Sequence, residues 1–381
     1  MKVPSKTFFL KLIMTIVAVV ISLLVTEILL HKFYKLRYGY HYYLWPPYLS
    51  RNITTLPNVF PGVSGTKRFY INSIGMRGSE PTASDKKRIV AVGGSTTESG
   101  ELDESETWPA LLQNMLNENN EQKMWVGNAG RRGSTTRDNI LQMKYFVSQI
   151  NNVNTIILLS GINDLMLSLS TDYKTLDIKS IENPSASQLD HAFSTHPFTR
   201  YGIKGTAIWS LVKQFKVATI GRKVIEDNEG KSQLFWRDKR QNAAGVLDDL
   251  PDISSALNEY EKNLNLIVDM AQSKSERIIL LTQPTIYKDI MAADELKLLW
   301  FGCIEKEGWR CYSAKALKKG MDMTNQKTLS VCKKRQIECI DLASVLPKDT
   351  TIFLDDVHFN QNGAKEVTKM IFNYLNSSGK N

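Results

Sequence analysis

Five short apolar runs, most of them separated from the next by helix-forming sequence, constrain this chain more than any other feature. They occupy residues 88–92 (RIVAV), 124–126, 155–160 (TIILLS), 277–282 (RIILLT) and 337–342 (IECIDL). Runs that are apolar throughout, without polar alternation, belong to strands buried on both faces. Between them, 107–117 sets Trp108, Leu111, Leu112 and Met115 at helical spacing, with Pro109 in the first turn. Further helices are expected over 136–150, 253–273 and 361–375, the last with Ala364, Val367, Ile371 and Leu375 on one face. Strands that alternate with helices in this way predict an α/β fold, with a parallel sheet covered on both sides.

Two stretches break the rhythm. Residues 38 to about 65 hold Pro46, Pro47, Pro57 and Pro61, which suits neither a helix nor a central strand. They read as a stalk that packs partly on the main body. Residues 165 to about 250 are long and mixed, with Pro184 and Pro197, and read as an insertion, either a lid or a partner surface. The expected organisation is 1–37 anchor and flanks, 38–85 stalk and extension, and 86–381 main domain.

Leu12 to Leu30 is an apolar run interrupted only by Thr15, Ser22, Thr26 and Glu27. At about 1.5 Å per residue it nearly spans a hydrocarbon core of about 30 Å. No small-x-small cleavage site follows it, so an uncleaved single-pass anchor is favoured over a cleaved signal or a buried core helix. Phe33, Tyr34, Tyr38, Tyr40, Tyr42, Tyr43 and Trp45 follow, as an interfacial aromatic belt would. The net charge is +9, but residues 1–37 hold six basic residues against Glu27 alone. The basicity is therefore a membrane flank, and no nucleic-acid partner is expected.

Positive charge is nearly balanced across the run, so orientation rests on the cysteines. Cys303, Cys311, Cys332 and Cys339 cluster late in the chain. An even, clustered set fits disulfides in an oxidising compartment; reduced packing residues are the alternative, and the three possible pairings stay open. The spacings do not suit a zinc site, and no metal or cofactor is expected.

In open α/β sheets, ligands bind beyond the carboxyl ends of the strands. There the chain places Gly93-Gly94-Ser95-Thr96-Thr97, then Asn128-Ala129-Gly130-Arg131-Arg132-Gly133, then Gly161-Ile162-Asn163-Asp164, and finally Asp355-Asp356-Val357-His358. A serine hydroxyl needs a base to become a nucleophile. His31 and His41 lie by the membrane flank, and His191 and His196 lie in the insertion, which leaves His358 for Ser95. Asp355 is the expected orienting acid, with Asp356 its competitor. The amides of Ser95 and Gly133 and the side chain of Asn163 are candidate oxyanion donors. Arg131 and Arg132 read either as an attractor for an anionic group or as solvated surface residues.

These four blocks, GGSTT, NAGRRGSTT, GIND and DDVH, resemble in order those of the SGNH/GDSL hydrolase superfamily. The resemblance covers roughly 86–376. It implies a three-layer flavodoxin-like fold and a serine esterase mechanism, with Ser95, Gly133, Asn163 and His358 as the named quartet and Asp355 beside them. Gly94 departs from the family pattern, which often has Asp there, and puts the local loop geometry in question. The segment RFYINSIGMRGSE (68–80) is similar to a leader of larger, membrane-anchored members, and no role follows from it. The expected substrate is an ester, most readily an O-acetyl group on an envelope glycan, in a domain outside the cytoplasm. An O-acyltransferase, a lipase or thioesterase, and a non-catalytic envelope protein are the alternatives.

Overall fold

The computed structural model describes residues 6–378, apart from 39–41, 64, 86, 119–122, 177–178, 197–205, 209–210, 213–214, 216–223, 275 and 306–307. The central sheet has five parallel strands: β3 (Lys87–Gly93), β4 (Met124–Gly130), β5 (Val153–Leu159), β8 (Arg277–Leu281) and β11 (Glu338–Ile340). Their spatial order is β11-β8-β5-β3-β4. Counted along this sheet, the strands run 2-1-3-4-5, the flavodoxin-like order, with its switch point between β3 and β5.

Successive side chains on a strand point to opposite faces, and the two cores divide accordingly. Ile89 and Ala91 of β3, Ile157 and Leu159 of β5, and Ile279 and Leu281 of β8 face one core. That core is closed by helices Trp108–Glu118 and Gln361–Ser378. Val90, Val92, Ile156, Leu158, Ile278 and Leu280 face the other. Helices Thr136–Tyr145 and Ser254–Gln272 cover it, and helix Ala314–Arg335 packs beside the latter. The result is a three-layer α/β fold.

Several sequence expectations shift. β4 runs through Gly127 to Gly130 instead of ending at 127, because it stays in register with β3 from Lys87↔Met124 to Gly93↔Gly130. The helix from Thr136 ends at Tyr145 and passes into a 3-10 turn at Val147–Gln149. The stalk is partly sheet: β1 (Ser50–Thr55) pairs antiparallel with β2 (Thr66–Tyr70). β1 also pairs in parallel with β6 (Val224–Glu229), so the leader and the insertion share one three-stranded sheet. A second small sheet joins β7 (Gly245–Leu247), β10 (Trp309–Tyr312) and β9 (Cys303–Glu305).

The N-terminal helix runs Lys6–Tyr38, and the large apolar side chains of its stretch Lys6–Leu30 are exposed. Glu27, the one acid in that stretch, accepts the backbone amides of Ala207 and Ile208 at 2.6 and 3.0 Å. Two of the belt aromatics are packed on the body instead. Tyr42 stacks on Tyr145 with centroids 4.8 Å apart, and Trp45 meets Phe69 at 5.4 Å. Tyr40 and the side chains of Tyr34 and Tyr38 lie outside the described residues. The cysteines pair as neighbours, Cys303–Cys311 and Cys332–Cys339.

Candidate active site

β3 delivers Ser95 to the carboxyl edge of the sheet, at the switch point. Gly94 precedes a single helical turn, Ser95–Glu98, and Ser99 leaves it at φ 53°. The loop of Asp355 and His358 arrives from the far end of the chain. His358 Nε2 lies 2.7 Å from Ser95 Oγ. On the other side of the ring, His358 Nδ1 lies 2.9 and 2.8 Å from the two oxygens of Asp355. Serine, histidine and aspartate thus form one continuous line.

Asp355 is fully buried and fully partnered. Its Oδ1 accepts the amides of Val357 and His358, and its Oδ2 accepts Trp300 Nε1 at 2.9 Å. Burial alone would raise its pKa, but the neighbouring His358 and these donors outweigh burial and hold it low. Burial likewise opposes charge on His358, but the Asp355 carboxylate prevails and raises the imidazole to about 9. Asp356 turns away. It accepts Tyr287 Oη at 2.9 Å and the Trp300 amide at 2.7 Å. Burial, then the adjacent Asp355, push it up to about 6.

Gly133 sits in the loop after β4 at φ +79°, where an L side chain is strained, and a Cβ there would meet only open space. Among the described residues no acceptor is bonded to its N–H. Asn163 lies in the first turn of the helix Ile162–Ser168 after β5, and its Nδ2 donates to Ser134 O at 2.9 Å. An amide nitrogen carries two hydrogens; one fixes the side chain, and the other remains for a ligand. Gly94 explains itself at this point: a Cβ on it would lie 2.8 Å from Asn163 Nδ2. Next to Asn163, Asp164 accepts the Thr136 amide at 3.0 Å and its hydroxyl at 2.5 Å, capping the helix behind the Gly133 loop. Burial raises its carboxyl to about 7.

Arg131 and Arg132 are both partnered and so are not a free anion attractor, although the Arg132 side chain stays 43% exposed. Arg131 donates to the carbonyls of Leu44 and His191 and covers the Trp45 ring. Arg132 is paired with Glu98, Glu101 and Glu229, and Glu98 is the chief cause of its raised pKa.

Two residues escaped the sequence reading. Trp300 binds Asp355 through its ring and Asp356 through its backbone. Arg77, from the leader, is wholly buried beneath the Ser95 turn. It donates to the carbonyls of Glu98 (2.6 Å), Ser99 and Leu102 (2.7 Å), and pairs with Glu104 at 3.2 Å. Arg77, the second arginine in RFYINSIGMRGSE, was the available signal, since a buried guanidinium must find several acceptors.

The model of the GDSL-like lipase/acylhydrolase family matches residues 91–366. No curated protein matches the chain. Solved structures similar to it include a member of the lipolytic protein G-D-S-L family from Veillonella parvula, at 12% identity over 75% of this chain and 97% of that one, TM-score 0.41. Axe2, an acetylxylan esterase from Geobacillus stearothermophilus, is similar at 13% identity over 75% and 92%, TM-score 0.40. The lipase/acylhydrolase from Enterococcus faecalis is similar at 14% identity over 77% and 96%, TM-score 0.41.

Proposed function

The chain belongs to the GDSL-like lipase/acylhydrolase family, and from that premise we propose that it is a serine esterase whose triad is Ser95, His358 and Asp355. The observation that carries this is the 2.7 Å approach of Ser95 Oγ to an imidazole held from behind by a buried carboxylate. His358 Nε2 takes the Ser95 proton as Oγ attacks the ester carbonyl. Ser95 N–H, Gly133 N–H and Asn163 Nδ2 receive the developing oxyanion. The imidazolium then protonates the departing alcohol, and water resolves the acyl-serine with His358 again as base. Asp355 keeps the imidazole oriented throughout.

The proposed substrate is an O-acetyl group on a cell-envelope glycan, handled outside the cytoplasm by a domain tethered through residues 12–30. Two disulfides, which persist in oxidising compartments, and the exposed apolar helix support that location. The proposed organisation remains 1–37 anchor and flanks, 38–85 extension, and 86–381 catalytic domain with the insertion at about 165–250.

The test compares the detergent-solubilised full chain with Ser95→Ala on acetyl and longer-chain aryl esters, and measures the acid released. Turnover that disappears in Ser95→Ala and is fastest on acetyl esters supports the reading. Undiminished turnover in that variant overturns it. Transfer of the acyl group to a sugar hydroxyl, with little free acid, would identify an O-acyltransferase instead.

A further inference from the structure

Two cavities meet at Asn163, and both are also lined by Met166. One, of about 430 Å³, reaches Gly133 and is walled by Leu141, Leu176 and Ile181. The other, of about 480 Å³, is walled by Trp236, Trp300, Trp309 and Phe301. Neither is lined by Ser95 or His358, and both border Asn163, a candidate oxyanion donor.

The tryptophan-lined groove lies on the histidine's side of the site. The Trp300 ring is 6.3 Å from the His358 ring and inclined by only 15°, and Phe301 is 6.2 Å from it. The same Trp300 donates to Asp355. In ester cleavage the imidazolium returns its proton to the alcohol oxygen, so the alcohol must leave on that side. The acyl carbonyl oxygen must point at the oxyanion donors, one of which, Gly133, borders the first cavity.

The chemistry of the groove then says what kind of alcohol fits. Trp236 and Trp309 meet nearly edge to face, with centroids 5.3 Å apart at 76°, and all three tryptophans are half-buried. Aromatic rings of this kind give large, stiff apolar contact. Ser170, Thr171 and Glu305 add hydrogen-bonding groups at the wall. A pyranose presents both an apolar C–H face and hydroxyls, and so satisfies both. No lysine, arginine or histidine lines the groove among the described residues, and Glu305 does; Lys239 Nζ stands 5.8 Å from the Trp309 ring centroid but outside the lining, so the wall's own charge disfavours an anionic sugar.

We propose that this groove is the subsite for a neutral pyranose that carries the ester and leaves as the alcohol. The proposal rests on the esterase reading above. As the Ser95 Oγ–acyl bond forms, the acyl–sugar oxygen bond breaks. The Ser95 proton passes through His358 Nε2 to the sugar oxygen.

The test uses the full chain in detergent and two substrates, methyl tetra-O-acetyl-glucopyranoside and ethyl acetate, both followed by acid release. The ratio of their kcat/KM values reads the groove alone. In Trp236→Ala and in Trp309→Ala the ratio is expected to fall about tenfold, mainly through KM for the sugar ester, while Trp309→Phe retains most of it. A wild-type ratio in both alanine variants overturns the proposal. Should the alanine variants fail to fold, Ser95→Ala titrated with the same sugar ester decides. A saturable change in tryptophan emission supports the subsite, and no change up to the wild-type KM overturns it. Ethyl acetate hydrolysis that survives in Ser95→Ala would instead sink the esterase assignment, whatever the ratio does.

Discussion

Replacing Arg77 with methionine removes a cation while keeping an unbranched side chain of similar length. The side chain is completely buried, and its partner Glu104 is 19% exposed. The change strands the Glu104 carboxylate and the Leu102 carbonyl, while Glu98 O keeps Asn128 Nδ2 at 3.4 Å and Ser99 O keeps the Leu102 amide at 3.1 Å. Breaking a buried ion pair from one side costs roughly 3–5 kcal/mol, and the orphaned buried carbonyl adds about 1–3 kcal/mol before relaxation. Glu104 retains the Tyr70 amide at 3.3 Å. Burial already raises its carboxyl pKa and Arg77 opposes that rise, so without Arg77 it can escape by taking up a proton. These reliefs set the expected loss at about 3–4 kcal/mol. It is read by urea unfolding of the detergent-solubilised chain. Because Arg77 also ties the Glu98 and Ser99 carbonyls of the turn that carries Ser95, kcat should fall as well. Adding Glu104→Gln to Arg77→Met should cost little further, since the carboxylate is by then unpaired. A loss under about 1 kcal/mol, with kcat intact, would refute the view that the leader holds the nucleophile turn.

Other outcomes follow from the same geometry. Gly94→Ala pushes on Asn163 Nδ2 from 2.8 Å, a movable side-chain end, so stability should hold while kcat drops about tenfold; unchanged kcat would show that Asn163 is not an oxyanion donor. The kcat/KM profile should rise with pH along a limb above 6.5, because His358 must lose its proton to act and its pKa is raised toward about 9; a limb below 6.5 contradicts this. By linkage, the stability that His358 contributes is full below its unfolded pKa of about 6.5 and is lost as pH rises through about 9. Replacing Cys303 and Cys311 together by serine opens a loop of sequence separation 8 and should cost roughly 2–3 kcal/mol, readable in thermal unfolding; an unchanged midpoint would show that the hairpin is held without the bond.

The sheet was legible because buried parallel strands carry no polar alternation, and the loops after β3, β4 and β5 each end on glycine or a small polar residue. The helix Ala314–Arg335 was not legible. Its buried face includes Thr324, Asn325 and Thr328, and Asn325 exchanges two hydrogen bonds with the Gln283 backbone, so apolar periodicity is diluted. The pairing of β1 with β6 lies some 174 residues apart in the chain and leaves no local trace. The site divides in the same way. Ser95 and Asn163 announce themselves by residue type just after strands, and His358 by residue type in the loop before the last helix. Arg77 and Trp300 act through contacts that only the fold creates, and Arg131 and Arg132 acquire their partners from Leu44, Glu98 and Glu229, residues no spacing rule connects.

The central claim is that the Ser95 hydroxyl, activated by His358, is the atom that takes up the acyl group. A fluorophosphonate probe applied to the full chain, followed by peptide mass mapping, reads this directly. Modification confined to Ser95, and abolished in both Ser95→Ala and His358→Ala, is the expected result. Labelling at another serine, or labelling that persists in Ser95→Ala, would contradict it.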